Sequence, residues 1–324
     1  ERDQKYYYPT DLLVTAPDII FFWVARMIIA GMHFMNEIPF KDVYFTSTVR
    51  DTQGRKMSKS LGNSPDPLDL INEYGADALR FTMTYISPLG QDVYFSNEMV
   101  EIGRNFANKI WNAGRFLLMN AQNIKIDLSL KDKHIDFTDR WIYSRFHKTI
   151  KEFTNAIDNF EVNSASKIIY SYVWNDFCDW YVELSKYRLY HGSDEEKSAL
   201  LTRAILLYEE MLKLVHPFMP FITEEIWQML DERKEGESIS ITSFPEFNEK
   251  MIDEKGWRWW FGEKKRLNNK EEILEFVKKY SFVFEYLFPK MKDLPPKSYY
   301  WGNEPKPLPL VGVYEDIGKL EKEL

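Results

Sequence analysis

From Ser96 to about Leu230 the apolar residues recur with the 3.6-residue period of an α-helix, whereas strand-length runs stand among the residues before them. This change of period limits the fold more than any other feature. Helix-period segments bury a stripe against other helices, whereas strands bury faces within a sheet. Four or five helices are expected, at about 97–121, 139–159, 164–190, 194–215 and 220–231. Thr138 reads as an N-cap flanked by Phe137 and Ile142 as a hydrophobic staple, and "SDEE" (193–196) as a capping box. Ala165, Ile168, Tyr172, Trp180, Leu184 and Tyr187 mark one apolar stripe. His216-Pro217 ends the fourth helix. The pattern is that of an antiparallel helix bundle.

Upstream, "DLLVT" (11–15) and "KDVYFTSTVR" (41–50) read as strands. Between them Asp18 reads as the N-cap of a helix ending near Gly31. Strand, helix and strand in this order make a βαβ unit and imply a parallel sheet. The intervening "DIIFFWVARMIIAGM" (18–32) carries Arg26 and is shorter than the roughly 20 residues a bilayer needs, so it reads as a buried core helix. "DPLDLINEY" (66–74) is a short helix with Pro67 in its first turn. Beyond "KEGES" (234–238) the pattern loosens. "SISITSFPEF" (238–247) reads as extended, 269–288 as helical and 294–314 as a proline-punctuated strand region. The expected class is α/β followed by all-α, closing with a small α/β subdomain.

A net charge of −8 means that nucleic-acid binding has to rest on local basic patches. The one cysteine, Cys178, excludes an internal disulfide framework and a multi-cysteine zinc site, which suits a reducing, cytoplasmic setting. On an aromatic helix it reads as a small buried hydrophobe. The five histidines show no metal-ligand spacing, and no bound metal is expected; His216 reads as a helix-end residue. No segment resembles a signal peptide, and no membrane partner is expected.

"RKMSKSLGN" (55–63) follows the second strand, at the carboxyl end where open α/β sheets bind ligands. It is either a solvated basic turn or a clamp for a polyanion. A clamp has a definite chemistry. When a nucleoside triphosphate is attacked at its α-phosphorus, charge builds on the departing pyrophosphate, and ammonium groups against those oxygens lower the barrier. Lys56 and Lys59 are three residues apart, and Ser58, Ser60 and Gly62 let the loop close and reopen.

The pentapeptide "KMSKS" is the second signature of the class I aminoacyl-tRNA synthetases. With "YYPTDLLVT", "DIIFFWVARMI", "PFKDVYF", "VRDTQGRKMSKSLGN", "DPLDLINEYGADALRF", "GQDVYFS" and "RNFANKIWNAGRF", the chain resembles the valyl-tRNA synthetase family. The likeness is dense over 6–120, continues in "HPFMPFITEEIW" (216–227), and fades after about 250. The resemblance implies a Rossmann-like nucleotide fold ending at residue 63, a stem-contact region at 64–95, an anticodon-binding bundle at 96–235, and a small α/β subdomain at 236–324 leading to a truncated coiled-coil arm, of which "EDIGKLEKEL" (315–324) is the beginning. It implies ATP (with Mg2+), valine and valine tRNA as substrates, and a monomer. Lys56 and Lys59 match the lysines that stabilise pyrophosphate, Met57 and Ser58 match residues near the nucleotide, Asp18 matches a position facing the ribose, and Ile19 matches a wall of the valine pocket. Ala16-Pro17 stands where the family carries a glycine turn, and "TSTVRD" departs from its histidine-glycine form. The first class signature and the editing insertion lie outside these 324 residues, so a fragment that does not activate valine by itself is expected.

Arg104, Asn108, Trp111 and Arg115 recur at i, i+4, i+7 and i+11 on the first bundle helix. Phe116 lies beside them and matches a family position near the anticodon. Cations flanking an aromatic can hold phosphates and stack a base. Equally, Trp111 can be core and the arginines can pair within the protein. "WRWWFGEKKR" (257–266) is a second aromatic-basic candidate, set against packing onto the bundle, while Trp174, Phe177, Trp180 and Tyr181 read as core. The alternatives are an isoleucyl or leucyl relative, or a non-catalytic RNA-binding module that retains the synthetase remnant.

Overall fold

A computed structural model describes residues 2–253 and the short strand pair at 300–301 and 304–305. The chain forms two compact units, one of residues 1–112, 149–171 and 212–245, the other of 113–148, 172–211 and 246–324.

The first unit begins with α1 (Arg2–Tyr7), β1 (Thr10–Thr15), α2 (Ala25–Phe34) and β2 (Phe40–Phe45). β1 and β2 pair in parallel from Thr10↔Phe40 to Thr15↔Phe45, as a βαβ unit requires. The second expected strand divides. Thr46, Ser47 and Thr48 leave β2, and Val49–Arg50 (β3) joins a separate parallel pair with Val93–Tyr94 (β4).

The crossover departs from expectation twice. It opens with a 3-10 turn (Pro17–Ile19) and a π-helical turn (Ile20–Val24), and Asp18 does not cap it. The segment is also not a buried core helix. Phe21, Phe22, Ile29 and Phe34 are 85%, 72%, 68% and 78% exposed. Pro17–Phe34 is long and apolar enough to cross a membrane. Its ends, however, are tied to two directly paired strands of one sheet.

α3 (Pro67–Tyr74) starts at Asp66, whose carboxylate accepts the Leu68 N–H, with Pro67 at its first position. Gly75, at φ +92, then turns the chain into α4 (Ala76–Ile86), a helix that the sequence pattern had not marked. Phe81 on α4 is fully buried against Phe106 and Tyr170 at ring distances of 4.6 and 6.1 Å, with Phe218 edge-on at 6.4 Å.

The long helices α5 (Val100–Ala121), α6 (Phe137–Asp158), α9 (Asp194–Val215) and α10 (Pro220–Leu230) match their expected spans closely. Ser193 and Glu196 form the capping box, with the Ser193 N–H donating to Glu196 at 2.8 Å. At α6 the cap is Asp136 and not Thr138. The Asp136 carboxylate accepts the Thr138 N–H at 2.9 Å, and the Asp136 N–H donates to Asp139 at 3.0 Å.

The expected helix 164–190 is three consecutive pieces: α7 (Val162–Ser171), a π-helical stretch (Tyr172–Tyr181) and α8 (Val182–His191). The wider π turns rotate the apolar stripe. Of the expected stripe Ala165, Tyr172 and Leu184 are buried and Ile168, Trp180 and Tyr187 are half-buried, while Ile169, Val173, Phe177 and Tyr181 join the core and Trp174 is half-buried. Cys178 is buried, as its reading required. In the second unit Phe146 meets Tyr172 and Phe177 meets Tyr208 at 5.4 and 5.6 Å.

Residues 239–241 form a 3-10 turn, and 238–247 contains no strand. β5 (Tyr300–Trp301) and β6 (Glu304–Pro305) pair antiparallel. The expected helix at 269–288, the aromatic-basic run at 257–266 and the arm at 315–324 lie outside the described residues.

Candidate functional site

β3 delivers the motif loop. After Arg50 the chain turns at residues 51–54, with the Gly54 N–H donating to the Asp51 carbonyl and Gly54 at φ +81. It returns alongside β3, so that Arg50 and Lys56 form an antiparallel bridge. Met57 drops its side chain against the cluster of Leu70, Ala78, Phe95 and Val100. Its two flanking cations are left in solvent. Ser58 then caps a 3-10 turn (Lys59–Leu61), accepting the Leu61 N–H at 3.2 Å, and Gly62 closes it in the left-handed region. The loop is therefore ordered by its own bonds, with one apolar anchor between Lys56 and Lys59.

Asp18 faces this loop from the crossover. Its carboxylate accepts a hydrogen bond from Lys56 Nζ, and that bond holds its pKa below the ordinary 3.8. Asp18 does not cap a helix because it lies inside the opening 3-10 turn, whose N-cap position is Ala16. Ala16 precedes it in extended backbone (φ −81, ψ 145), a conformation open to any L-residue, so the local chain path does not demand glycine. Ile19, next to Asp18, is 38% exposed. The structure thus brings Asp18 and Lys56 into direct contact and places Met57, Ser58 and Lys59 on the same short loop.

Two residues that the sequence reading passed over organise this loop. Asp51, buried at its base, accepts backbone N–H groups from Gln53 and Arg55 at 3.0 and 2.8 Å. It also accepts Arg55 Nε at 2.8 Å and Asn63 Nδ2 at 2.9 Å. The Asn63 bond, with the Arg55 and Gln53 bonds, outweighs burial and brings the Asp51 pKa to about 2. The Asp-x-x-Gly spacing of 51–54 is the sequence signal that could have marked this turn.

The candidate RNA residues lie on α5. In the first unit Arg104 sits 3.3 Å from Glu101 and 5.7 Å over the Tyr74 ring, while Asn108 is exposed. Trp111 is 37% exposed, which rejects the core reading for it. In the second unit Arg115 is exposed, and Phe116 is half-buried with Lys186 Nζ 5.8 Å from its ring centre. His216 ends α9 with Nδ1 2.7 Å from Thr223 Oγ1, consistent with a helix-end role.

The family described as tRNA synthetases class I (I, L, M and V) matches residues 1–96, and the anticodon-binding domain of tRNA ligase matches 139–285. The valine–tRNA ligase of Fusobacterium nucleatum is 51% identical over 258 residues, 78% of this chain and 29% of that protein. That of Thermotoga maritima is 50% identical, over 78% of this chain and 28% of its own length. The chain therefore spans less than a third of these relatives. Among solved structures, the ternary complex of Agrobacterium radiobacter K84 agnB2 LeuRS with tRNA and LeuAMS superposes with a TM-score of 0.59 at 19% identity, covering 90% of this chain and 36% of that one. Mycobacterium tuberculosis methionyl-tRNA synthetase in complex with methionyl-adenylate gives 0.59 at 21%, covering 73% and 47%. At these identities the two structures speak for the fold alone.

Proposed function

The chain belongs to the valine–tRNA ligases of the class I synthetases, and on that premise we propose that it supplies the pyrophosphate side of valine activation and a tRNA-binding helical region. The observation that carries the first half is the Lys56–Asp18 contact. It sets a cation of the motif loop beside the carboxylate that the resemblance assigns to the ribose. In this reading Lys56 and Lys59 neutralise the leaving pyrophosphate of ATP (with Mg2+), and the backbone at Met57 and Ser58 lines the nucleotide. Asp18 takes a ribose hydroxyl, and Ile19 walls the valine side chain. Asp18 and Lys56 neutralise each other, and the nucleotide offers each a better partner: hydroxyl donors to the carboxylate, phosphate oxygens to the ammonium.

The second half rests on the exposure of α5. Arg104, Asn108, Trp111 and Arg115, with Phe116 beside them, are proposed to contact valine tRNA, the arginines through phosphates and Trp111 by stacking. The proposed layout is the end of the nucleotide fold at 1–63, a stem-contact region at 64–95, the anticodon-binding bundle at 96–235, and a further subdomain from 236. The proposed setting is the cytoplasm.

Pyrophosphate titration calorimetry tests the clamp, with binding that falls in Lys56→Ala and Lys59→Ala. Wild-type chain that takes up no pyrophosphate at millimolar concentration refutes it. Filter binding of valine tRNA against an anticodon-swapped tRNA tests the other half, and equal binding to both rejects anticodon reading.

A further inference from the structure

Asn63 has no part in the roles above, yet its side chain makes three bonds across the motif loop. Oδ1 accepts the Ser58 N–H at 2.9 Å. Nδ2 donates to Asp51 Oδ2 at 2.9 Å and leans on the Lys56 carbonyl at 3.4 Å. It therefore grips the backbone on both sides of Met57 and ties it to the buried carboxylate at the loop's base. Met57 itself is held by the apolar cluster below. Between these anchors little freedom remains for the chain from Lys56 to Lys59.

We propose that Asn63 is a positioning residue for the phosphate clamp: by joining Ser58 and Lys56 to Asp51, it sets the separation and direction of the Lys56 and Lys59 ammonium groups. The inference rests on the reading of those lysines as a pyrophosphate clamp. The chemistry selects asparagine. The position needs one acceptor for Ser58 and donors for Asp51 and Lys56, which a carboxamide supplies in one plane. Aspartate keeps the acceptor, loses both donors and sets a second carboxylate against Asp51. Leucine fills the volume but leaves the Ser58 N–H and an Asp51 lone pair without a partner.

Asn63→Asp separates positioning from bulk. Two carboxylates at hydrogen-bond distance cannot both ionise readily, so one holds a proton as pH falls, and that proton restores a donor between them. The other charged groups facing this corner are Arg55 and Lys56 of the same loop, Asp18 on Lys56, and Arg50, which bonds Gly54 O and Asp92.

The test is calorimetric titration of inorganic pyrophosphate into the full chain at pH 7.5 and 5.5. Wild type, Asn63→Asp and Asn63→Ala are compared as affinity ratios at each pH, with thermal melts of all three. At pH 7.5 both variants are expected to bind about tenfold more weakly than wild type. At pH 5.5 Asn63→Asp recovers most of the deficit and Asn63→Ala does not. Variants that bind like wild type at both pH values overturn the positioning role. A deficit that ignores pH in both variants and follows the melting temperature marks a structural residue only, and also overturns it. Wild-type chain that fails to bind pyrophosphate removes the clamp reading itself, a distinguishable failure.

Discussion

The Lys56 ammonium rests on the Asp18 carboxylate, 38 residues away in sequence, and the pair joins the motif loop to the turn that opens the crossover. Both side chains are partly in solvent, at 62% and 46% exposure, so the attraction is screened and modest.

That makes Asp18→Asn informative. Asparagine keeps the shape and removes the charge that competes with phosphate for Lys56. Pyrophosphate, which carries no ribose, is expected to bind about two- to fivefold more tightly to Asp18→Asn than to wild type. Titration at low and high salt checks this, and the gain shrinks as salt rises. Because Lys56 depresses the Asp18 pKa below 3.8, the pair persists above that value and is lost as pH falls beneath it. The gain is therefore constant between pH 6 and pH 8.

In the second unit, buried charges converge on Asp139. This fully buried carboxylate accepts Arg188 at 2.8 Å through both oxygens, Arg203 at 2.8 Å and Tyr181 at 3.1 Å. Burial pushes its pKa up, but the Arg188 hydrogen bond and the Arg188 and Arg203 charges outweigh it, and the net position is below 3.8. A depressed carboxylate contributes its stability above the unfolded value and loses it as pH falls through the folded one. Asp139→Asn is expected to cost about 3–5 kcal/mol by leaving Arg203, 4% exposed, without its charge partner. Urea melts at pH 7 measure this, and the gap between variant and wild type narrows below pH 4.

α4 and α5 approach at Gly103, whose N–H donates to Thr82 Oγ1 at 3.1 Å. A Cβ there would lie inside van der Waals contact of the Ala78 carbonyl oxygen and 2.8 Å from its Cα. In an exposed helix Gly→Ala stabilises by about 1 kcal/mol. Here the obstacle is backbone, so Gly103→Ala is expected to destabilise by about 1–3 kcal/mol. A thermal melt that rises instead would show that the helices separate freely.

The parts legible in the sequence are those governed by local rules. The capping box at Ser193–Glu196, Pro67 in the first turn of α3 and the β1–α2–β2 order all follow from residues close together in the chain. What was not legible depends on partners far away. Asp18 is a residue type that caps helices, but it falls inside a 3-10 turn capped at Ala16, and its carboxylate meets Lys56 from the motif loop. The stripe of the 164–190 helix holds at Ala165, Tyr172 and Leu184 but misses Val173, Phe177 and Tyr181, because a 3.6-residue period cannot anticipate the π turns of Tyr172–Tyr181. Asn63 gave no signal, since its bonds reach back to Ser58 and Asp51 across a loop whose path no periodicity describes. Apolar composition alone did not locate the core at the crossover, where Phe21 and Phe22 are exposed among the described residues.

The exposure of Trp111 turns an open choice into a measurement. A tryptophan 37% exposed, on a helix that also carries exposed Asn108 and Arg115, is free to stack a base. Trp111→Ala is expected to weaken tRNA binding by about 1–3 kcal/mol. Stability should fall less than for a core tryptophan such as Trp141, 2% exposed. Arg115→Ala, if its contact is to phosphate, lowers affinity for all tRNAs alike and reduces the slope of log K against log salt by about one. Arg104 is held beside Glu101 and Tyr74 and must leave Glu101 to reach a phosphate, so its replacement costs less than that of Arg115. Filter binding over a salt series with the three variants decides among these. Unchanged affinity in Trp111→Ala and an unchanged slope in Arg115→Ala together would remove α5 from the RNA interface.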